Sequence, residues 1–197
     1  KKVEFTGCTN NGTVQSMYMN AAGMLGTSYG LVEIENCTNN GTILSKTKAG
    51  GILSELRTVN GGDQYTERIE TTQDSTGNSE FTNCINNGDI HTTGTGYYIE
   101  GSEGGILSEV IGYAIINNST NNGYMTSTGN RQIGGIVGYV TGGIEIKDSI
   151  NKGEIYSCDP DGQYSVDNLT GGIMGQLRCM SGAYDKLTFA NTYASIK

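Results

Sequence analysis

The sequence has no tryptophan, one proline and one histidine among 197 residues, and only 16% of its residues are charged. With His91 as the only histidine, the chain lacks the paired ligands of a zinc hydrolase, and a Ser-His-Asp triad would have no other base. The charged fraction is too low for a highly charged disordered chain, and a net charge of -8 disfavours nucleic acid and anionic lipid as partners. These absences favour a folded protein that is not an enzyme.

Long apolar segments are also missing. No window reaches the run of about 18 apolar residues that a membrane span requires, and the first residues have no apolar signal core. We therefore expect no membrane insertion by this part of the protein. The apolar fraction of 35% and the 31 glycines argue against a thick conventional core.

What the sequence has instead is an internal repeat. A block resembling VEIENCTNNGTI occurs five times and is followed each time by a short glycine-rich block such as AGGILS. Together the two blocks span about 30 residues, with longer steps where segments are inserted, and a sixth copy begins at Leu187. The last glycine of the first block lies at Gly12, Gly41, Gly88, Gly123 and Gly153.

This repeat predicts an all-β fold. Apolar and polar residues alternate, so that Val32, Ile34 and Asn36 would share one face of a strand, and glycine and asparagine are dense where they would destabilise a helix. One repeat provides roughly 100 Å of extended chain, enough for three short strands and three corners. We predict a right-handed parallel β-helix, or β-solenoid, of about five coils. It would form a single domain over residues 1–197, with inserted loops at about 57–78 and 157–168.

The repeat also predicts columns of equivalent residues. Asparagine and glycine in the NNG corner tolerate a left-handed backbone, and stacked asparagines can form an amide ladder. A second column holds only small residues, which favours packing over sulfur chemistry. The expected ladder contains Asn39, Asn86, Asn121 and Asn151, and the small column contains Cys8, Cys37, Cys84, Ser119, Ser149 and Thr192.

The glycine-rich block resembles the GLUG motif, as in residues 135–138 (GIVG) and 172–175 (GIMG), with serine replacing the last glycine at Ser54 and Ser108. The resemblance recurs through nearly the whole chain. It implies an extracellular or cell-surface repeat region of a large bacterial protein, similar to the non-catalytic parts of immunoglobulin A1 peptidases, and hence an adhesive or structural module. Because residue 1 already lies within a repeat, we expect the chain to be a fragment of a longer surface protein of unknown oligomeric state.

Aromatic side chains are the candidate binding residues. Twelve tyrosines accompany three phenylalanines, and exposed tyrosines can bind a host glycan or a host protein, although they are also common on exposed strands. The candidates are Tyr97, Tyr98, Tyr113, Tyr124 and Tyr139.

Two other functions remain open from the sequence. A carbohydrate-active β-helix would need paired carboxylates in a groove. Acidic residues do share one register, at Glu4, Glu33, Glu80 and Glu145, but Ile115 interrupts it, and a solvated acidic face is the simpler interpretation. The third possibility is a spacer stalk without a ligand.

Two local features lie near the C-terminal insert. Oxygen ligands at alternate positions make calcium the one candidate cofactor, although the EF-hand spacing is not matched and a Pro-Asp-Gly turn explains the same residues. The calcium candidates are Asp159, Asp161, Gln163 and Asp167. Five cysteines leave at least one unpaired, and a disulfide between Cys158 and Cys179 is the remaining pairing outside the small column.

Overall fold

The computed structural model describes residues 2–58, 77–94, 101–129, 132–158, 169–178 and 187–195. Within these ranges every regular element is a β-strand, and the strands pair in parallel. The predicted all-β class and parallel pairing are therefore confirmed. Most of the two predicted inserts lies outside the described residues.

The strands form four sheets, which we name A to D in the order in which the chain passes through them. Sheet A contains Val3–Thr6, Leu25–Tyr29, Val32–Glu35, Leu53–Arg57, Ser79–Thr82, Leu107–Asn117, Val137–Lys147, Met174–Arg178 and Leu187–Ala190. Sheet B contains Thr9–Asn10, Thr38–Asn39, Ile85–Asn86, Thr120–Asn121, Ile150–Asn151 and Tyr193–Ala194. Sheet C contains Val14–Ser16, Ile43–Ser45, Ile90–Thr92, Met125–Thr128 and Ile155–Cys158. Sheet D contains Asn20–Ala22, Lys48–Gly50, Ser102–Gly104, Gln132–Gly134 and Leu169–Gly171.

Each strand pairs with the equivalent strand of the next repeat, so the sequence repeat is also the structural repeat. Hydrogen-bonded asparagines in successive repeats are 29, 47, 35 and 30 residues apart. The sixth copy joins the stack, since Leu187–Ala190 pairs with Val137–Lys147. A repeat contributes strands to four sheets, so the prediction of three strands per repeat was wrong.

The in-and-out alternation of side chains changes phase at one left-handed residue. Val32 and Ile34 are fully buried, as predicted, but Asn36 has φ 54° and is exposed. The following Cys37 is fully buried, because the left-handed residue turns the chain and points the next side chain inward. The predicted grouping of Asn36 with Val32 and Ile34 was therefore wrong. The equivalent positive φ occurs at Gly7, Asn83, Asn118, Asp148 and Asn191.

The NNG glycines have a different role from the predicted one. The glycines with positive φ lie elsewhere, for example at Gly7 and Gly142. A Cβ atom added to Gly41 would lie 1.9 Å from the carbonyl oxygen of Gly12, and one added to Gly88 would lie 2.0 Å from that of Gly41. Glycine is required at this corner because the backbone of the neighbouring repeat leaves no space for a side chain.

The predicted asparagine ladder is confirmed and begins one repeat earlier, at Asn10. In each step the amide Nδ2 donates to the Oδ1 atom of the next asparagine, over 2.7 Å from Asn39 to Asn86 and 2.8 Å from Asn121 to Asn151. The same Nδ2 of Asn39 also donates to the carbonyl of Gly41 at 2.8 Å, which closes its own corner. This inner ladder is buried, whereas a second ladder through Asn11, Asn40, Asn87 and Asn122 is exposed.

The predicted column of small residues lines the apolar interior. Cys8, Cys37 and Cys84 are free thiols, and the backbone N–H of Cys8 donates to Sγ of Cys37 at 3.4 Å. In the same way, Oγ of Ser119 accepts a hydrogen bond from the backbone N–H of Cys84 at 3.2 Å. Burial raises the pKa of the Cys84 thiol to about 12, so this thiol stays protonated and packs as a small side chain.

Removal of one inner-ladder amide should destabilise the protein. Asn86→Ala deletes the donor to Asn121 and the acceptor of Asn39, in a site without water access. We expect the free energy of unfolding to fall by about 2–3 kcal/mol, because buried polar groups lose partners. Denaturant unfolding measures the change.

The neighbouring Asn87→Ala is the matched control, since Asn87 belongs to the exposed ladder. This variant should lose less than about 0.5 kcal/mol in the free energy of unfolding. Equal losses in the two variants would contradict a special contribution of the inner ladder.

Candidate functional site

A buried cluster of charged residues lies where sheet D meets sheet A. Lys48, on sheet D, places its Nζ atom 3.1 Å from Oε2 of Glu55 and also forms an ion pair with Glu109. Glu55 and Glu109 are register partners on neighbouring strands of sheet A, so one lysine bridges two stacked carboxylates. All three residues are less than 10% exposed, which makes each charge dependent on its partners.

The pKa values of the two carboxylates are shifted in opposite directions. Burial alone would raise the pKa of Glu55, but the charge of Lys48 and hydrogen bonds from Arg57 and Asn20 outweigh burial and lower it. Burial raises the pKa of Glu109, and its attraction to Lys48 offsets this only in part. The pKa of Lys48 is raised, since its two carboxylate partners outweigh the cost of burial. Glu55 is thus the fixed anion and Glu109 the more readily protonated acid.

A polar cleft of about 320 Å³ opens beside this cluster. Its lining comes from three consecutive repeats and from sheets A and D. It includes Ser102, Glu109, Gln132, Tyr139, Gln176 and Arg178. Glu109 therefore belongs both to the ion cluster and to the cleft wall.

The cleft lies between two columns of register partners. On sheet D the column passes from Lys48 to Ser102 and then to Gln132. The long Lys48 side chain reaches across to the carboxylates of sheet A, whereas the short Ser102 side chain leaves space. The cleft therefore begins at the repeat that carries Ser102. On sheet A the facing column passes from Glu109 to Tyr139 and then to Gln176.

Comparison with protein families identifies one segment. Residues 129–156 match the family model described as the GLUG motif. The chain carries a GLUG repeat. No curated protein and no solved structure matches the chain. The GLUG segment contributes Gln132 and Tyr139, so the matched residues include part of the cleft wall.

The structure separates the tyrosines that the sequence grouped as candidates. Tyr139, in the GLUG segment, lines the cleft. Tyr113 donates its hydroxyl hydrogen to Glu145, and burial together with that carboxylate raises its pKa. Tyr124 lies between sheets B and C, is 38% exposed and donates its backbone N–H to Asp89. Tyr97 and Tyr98 lie outside the described residues.

The acidic register exists but is not uniformly solvated. Glu33 pairs with Glu4 and with Glu80, and Ile115 interrupts the column as predicted. Glu145, however, is only 2% exposed and accepts a hydrogen bond from Nζ of Lys147 at 2.6 Å. The prediction of a solvated acidic face was wrong at this position, because Tyr113 and Lys147 cover the carboxylate.

The remaining sequence candidates are the calcium ligands and the cysteine pair. Cys179 and the four calcium candidates (Asp159, Asp161, Gln163 and Asp167) lie outside the described residues, while Cys158 ends a strand of sheet C. Over the described ranges no three His, Cys, Asp or Glu side chains are close enough to hold a metal ion. The same part of the chain has no helix with the length and apolarity to cross a bilayer.

Sequence reasoning missed the cleft residues other than Tyr139. A signal for the carboxylates was present, because the string GGILSE occurs twice and ends at Glu55 and at Glu109. That repetition predicts two stacked glutamates. Nothing in the sequence marks Gln132 or Gln176, since single glutamines occur on many exposed strands.

A second acidic residue, Glu103, lies inside the stack. It is fully buried, and its register neighbours are Ala49 and Ile133. Thr92 donates its hydroxyl to Oε2 at 2.7 Å, while Oε1 has no hydrogen-bond partner among the described residues. Burial raises the pKa of Glu103 well above its usual range and so favours the neutral form of the side chain.

Removal of the bridging lysine should lower the stability of the folded protein. Lys48→Met leaves Glu55 and Glu109 stacked in a buried site without their shared cation. We expect a loss of about 3–5 kcal/mol in the free energy of unfolding at pH 7. The loss should shrink toward pH 4, because without Lys48 both carboxyl pKa values rise and protonation removes the repulsion.

Denaturant unfolding as a function of pH measures this effect. Lys46→Met is the matched control, because Lys46 is exposed two residues earlier. A loss in Lys48→Met that does not depend on pH would contradict the electrostatic explanation and indicate lost packing.

Glu103 should make the protein less stable as the pH rises. A raised pKa in the folded state means that the folded chain keeps a proton that the unfolded chain releases, so stability falls as pH increases above the unfolded pKa. Glu103→Gln keeps an acceptor for Thr92 but does not ionise. We expect the variant to match the parent near pH 4 and to gain stability relative to it as the pH rises, by about 1.4 kcal/mol for each pH unit between the unfolded-state and folded-state pKa values of Glu103.

Thermal unfolding between pH 4 and pH 8 tests this expectation, with Glu154→Gln at an exposed position as the control. A parent and a Glu103→Gln variant with the same pH profile would show that Glu103 does not titrate in this way.

Proposed function

We propose that the chain is a right-handed β-solenoid that serves as a non-catalytic binding module of a secreted or cell-surface bacterial protein. The four parallel sheets support a solenoid, and crossover connections between parallel strands are right-handed in nearly all proteins. The GLUG motif supports a bacterial repeat module. The proposed partner is a host glycan or a host protein.

The observation that carries this proposal is the polar cleft. Three repeats contribute to its walls, so the site requires the stacked fold and would not exist in a single repeat. Amide, hydroxyl, carboxyl and phenol groups converge there, and convergent polar groups in a concave site are typical of ligand recognition.

The paired glutamates favour a second candidate function, a carbohydrate-active enzyme. Glu55 and Glu109 are stacked neighbours with opposite pKa shifts, which is an arrangement that glycosidases use. Glu55, however, already accepts hydrogen bonds from Asn20, Lys48 and Arg57. A carboxylate held by three donors is a poor nucleophile or base, so we favour binding without catalysis.

A binding screen tests the proposed function. The purified chain is applied to a glycan array and to a panel of host proteins, once with calcium and once with a chelator. We expect saturable binding to a member of one panel. Loss of that binding in the chelator would show that the binding requires a divalent cation.

A reducing-end assay on any bound glycan separates binding from hydrolysis. We expect no new reducing ends. Their release would show hydrolysis and would reject the non-catalytic binding module in favour of a carbohydrate-active enzyme. A blank on both panels, with and without calcium, would reject the proposal in favour of the spacer stalk.

A further inference from the structure

The cleft is a trough with a regular period along the stack. Its sheet A wall presents Glu109, Tyr139 and Gln176 from three successive repeats, in register. Its sheet D wall presents Ser102 and Gln132 from the first two of these repeats. Neighbouring parallel strands are about 4.8 Å apart, so equivalent groups recur along the trough at that interval.

The chemistry of the walls suits a ligand rich in hydroxyl groups. The amides of Gln132 and Gln176 each offer donors and an acceptor. Ser102 lines the same wall, with its hydroxyl hydrogen-bonded to that of the buried Ser108 at 2.8 Å. Tyr139 adds an aromatic ring that can pack on the C–H face of a sugar while its hydroxyl stays polar. A trough with so few apolar groups gives little energy for binding a lipid chain or an apolar peptide.

One end of the trough is closed and fixes where a ligand begins. Lys48 fills the position that Ser102 occupies one repeat later, and it is held there by Glu55 and Glu109. The ion cluster thus forms an end wall and positions the Glu109 carboxyl at the first subsite. From Glu109 to Gln176 the trough spans three repeats.

We propose that this trough binds a linear oligosaccharide that lies along the stack with one sugar unit facing each repeat, about three units in all. A pyranose unit in an extended chain advances by nearly the distance between stacked strands, so each unit meets an equivalent set of groups. The inference rests on the proposed binding function and specifies its ligand class and its site.

The test uses linear oligosaccharides of one to six units, made from the sugar that binds best on the glycan array. Calorimetry on the whole chain measures their affinity. We expect affinity to rise with each added unit up to about three units and then to level off, because further units lie beyond the walls. A monosaccharide that binds as tightly as the longer chains would overturn the arrangement of one sugar per repeat.

Two variants locate the site. Tyr139→Ala should weaken binding of the trisaccharide at least about 10-fold, which corresponds to ~1.4 kcal/mol, and Gln132→Ala should weaken it about 5-fold. Tyr156→Ala and Gln15→Ala are the matched controls, because both residues are exposed on sheet C, and they should leave affinity unchanged. Denaturant midpoints confirm that all four variants remain folded.

The outcomes separate this inference from the broader proposal. Glycan binding that survives Tyr139→Ala and Gln132→Ala would overturn the trough as the site but keep the binding module. Binding to a host protein alone would likewise overturn the proposal of an oligosaccharide ligand, while the proposal of a binding module would stand. No binding to either panel would overturn both.

Discussion

The hydrogen bond between stacked asparagine amides is the interaction on which the rest of the structure depends. Each inner amide donates two hydrogen bonds, one that closes the corner of its own repeat and one that joins the next repeat. Asn39 donates in this way to the carbonyl of Gly41 and to Oδ1 of Asn86. A buried amide that lost its neighbour would be costly, so a slip of one residue between repeats is strongly disfavoured. The ladder therefore fixes the register along the whole stack.

A fixed register has a consequence for insertions. Asn39 and Asn86 are 47 residues apart, whereas Asn121 and Asn151 are 30 apart, yet both pairs form the same hydrogen bond. Extra residues are accommodated outside the ladder, between strands that remain in register. The ladder therefore permits different numbers of residues between successive asparagines, and variable segments on a rigid framework can acquire separate functions.

The features that could be predicted are those that every repeat shares. The ladder and the small column recur at a constant position in each block, so their stacking follows from the period alone. The left-handed backbone lies outside the NNG corner, where the sequence predicts it. A signal for its true position is present, since that column holds glycine, asparagine or aspartate in every repeat, at Gly7, Asn36, Asn83, Asn118, Asp148 and Asn191. These are the residues that tolerate positive φ best.

The cleft could not be predicted because it arises where repeats differ. Lys48, Ser102 and Gln132 occupy one column, and only the change from a long to a short side chain opens space. A repeat pattern identifies the column but not the volume above it, which depends on what faces it from sheet A. Tyr139 was identified as an aromatic candidate, while its partners in the wall have no sequence signature.

Division of labour between corner glycines and strand positions explains how such a repetitive chain can carry a specific site. The corner between sheets B and C and the corner between sheets D and A both contain glycines, such as Gly41 and Gly105, whose Cβ positions are occupied by the neighbouring backbone. The strand positions on either side of the D–A corner tolerate Lys48, Glu55 and Glu109, whose buried charges stay acceptable only as a set. The constant glycines maintain the stack, and these variable strand positions are consequently where a ligand site can evolve without loss of the fold.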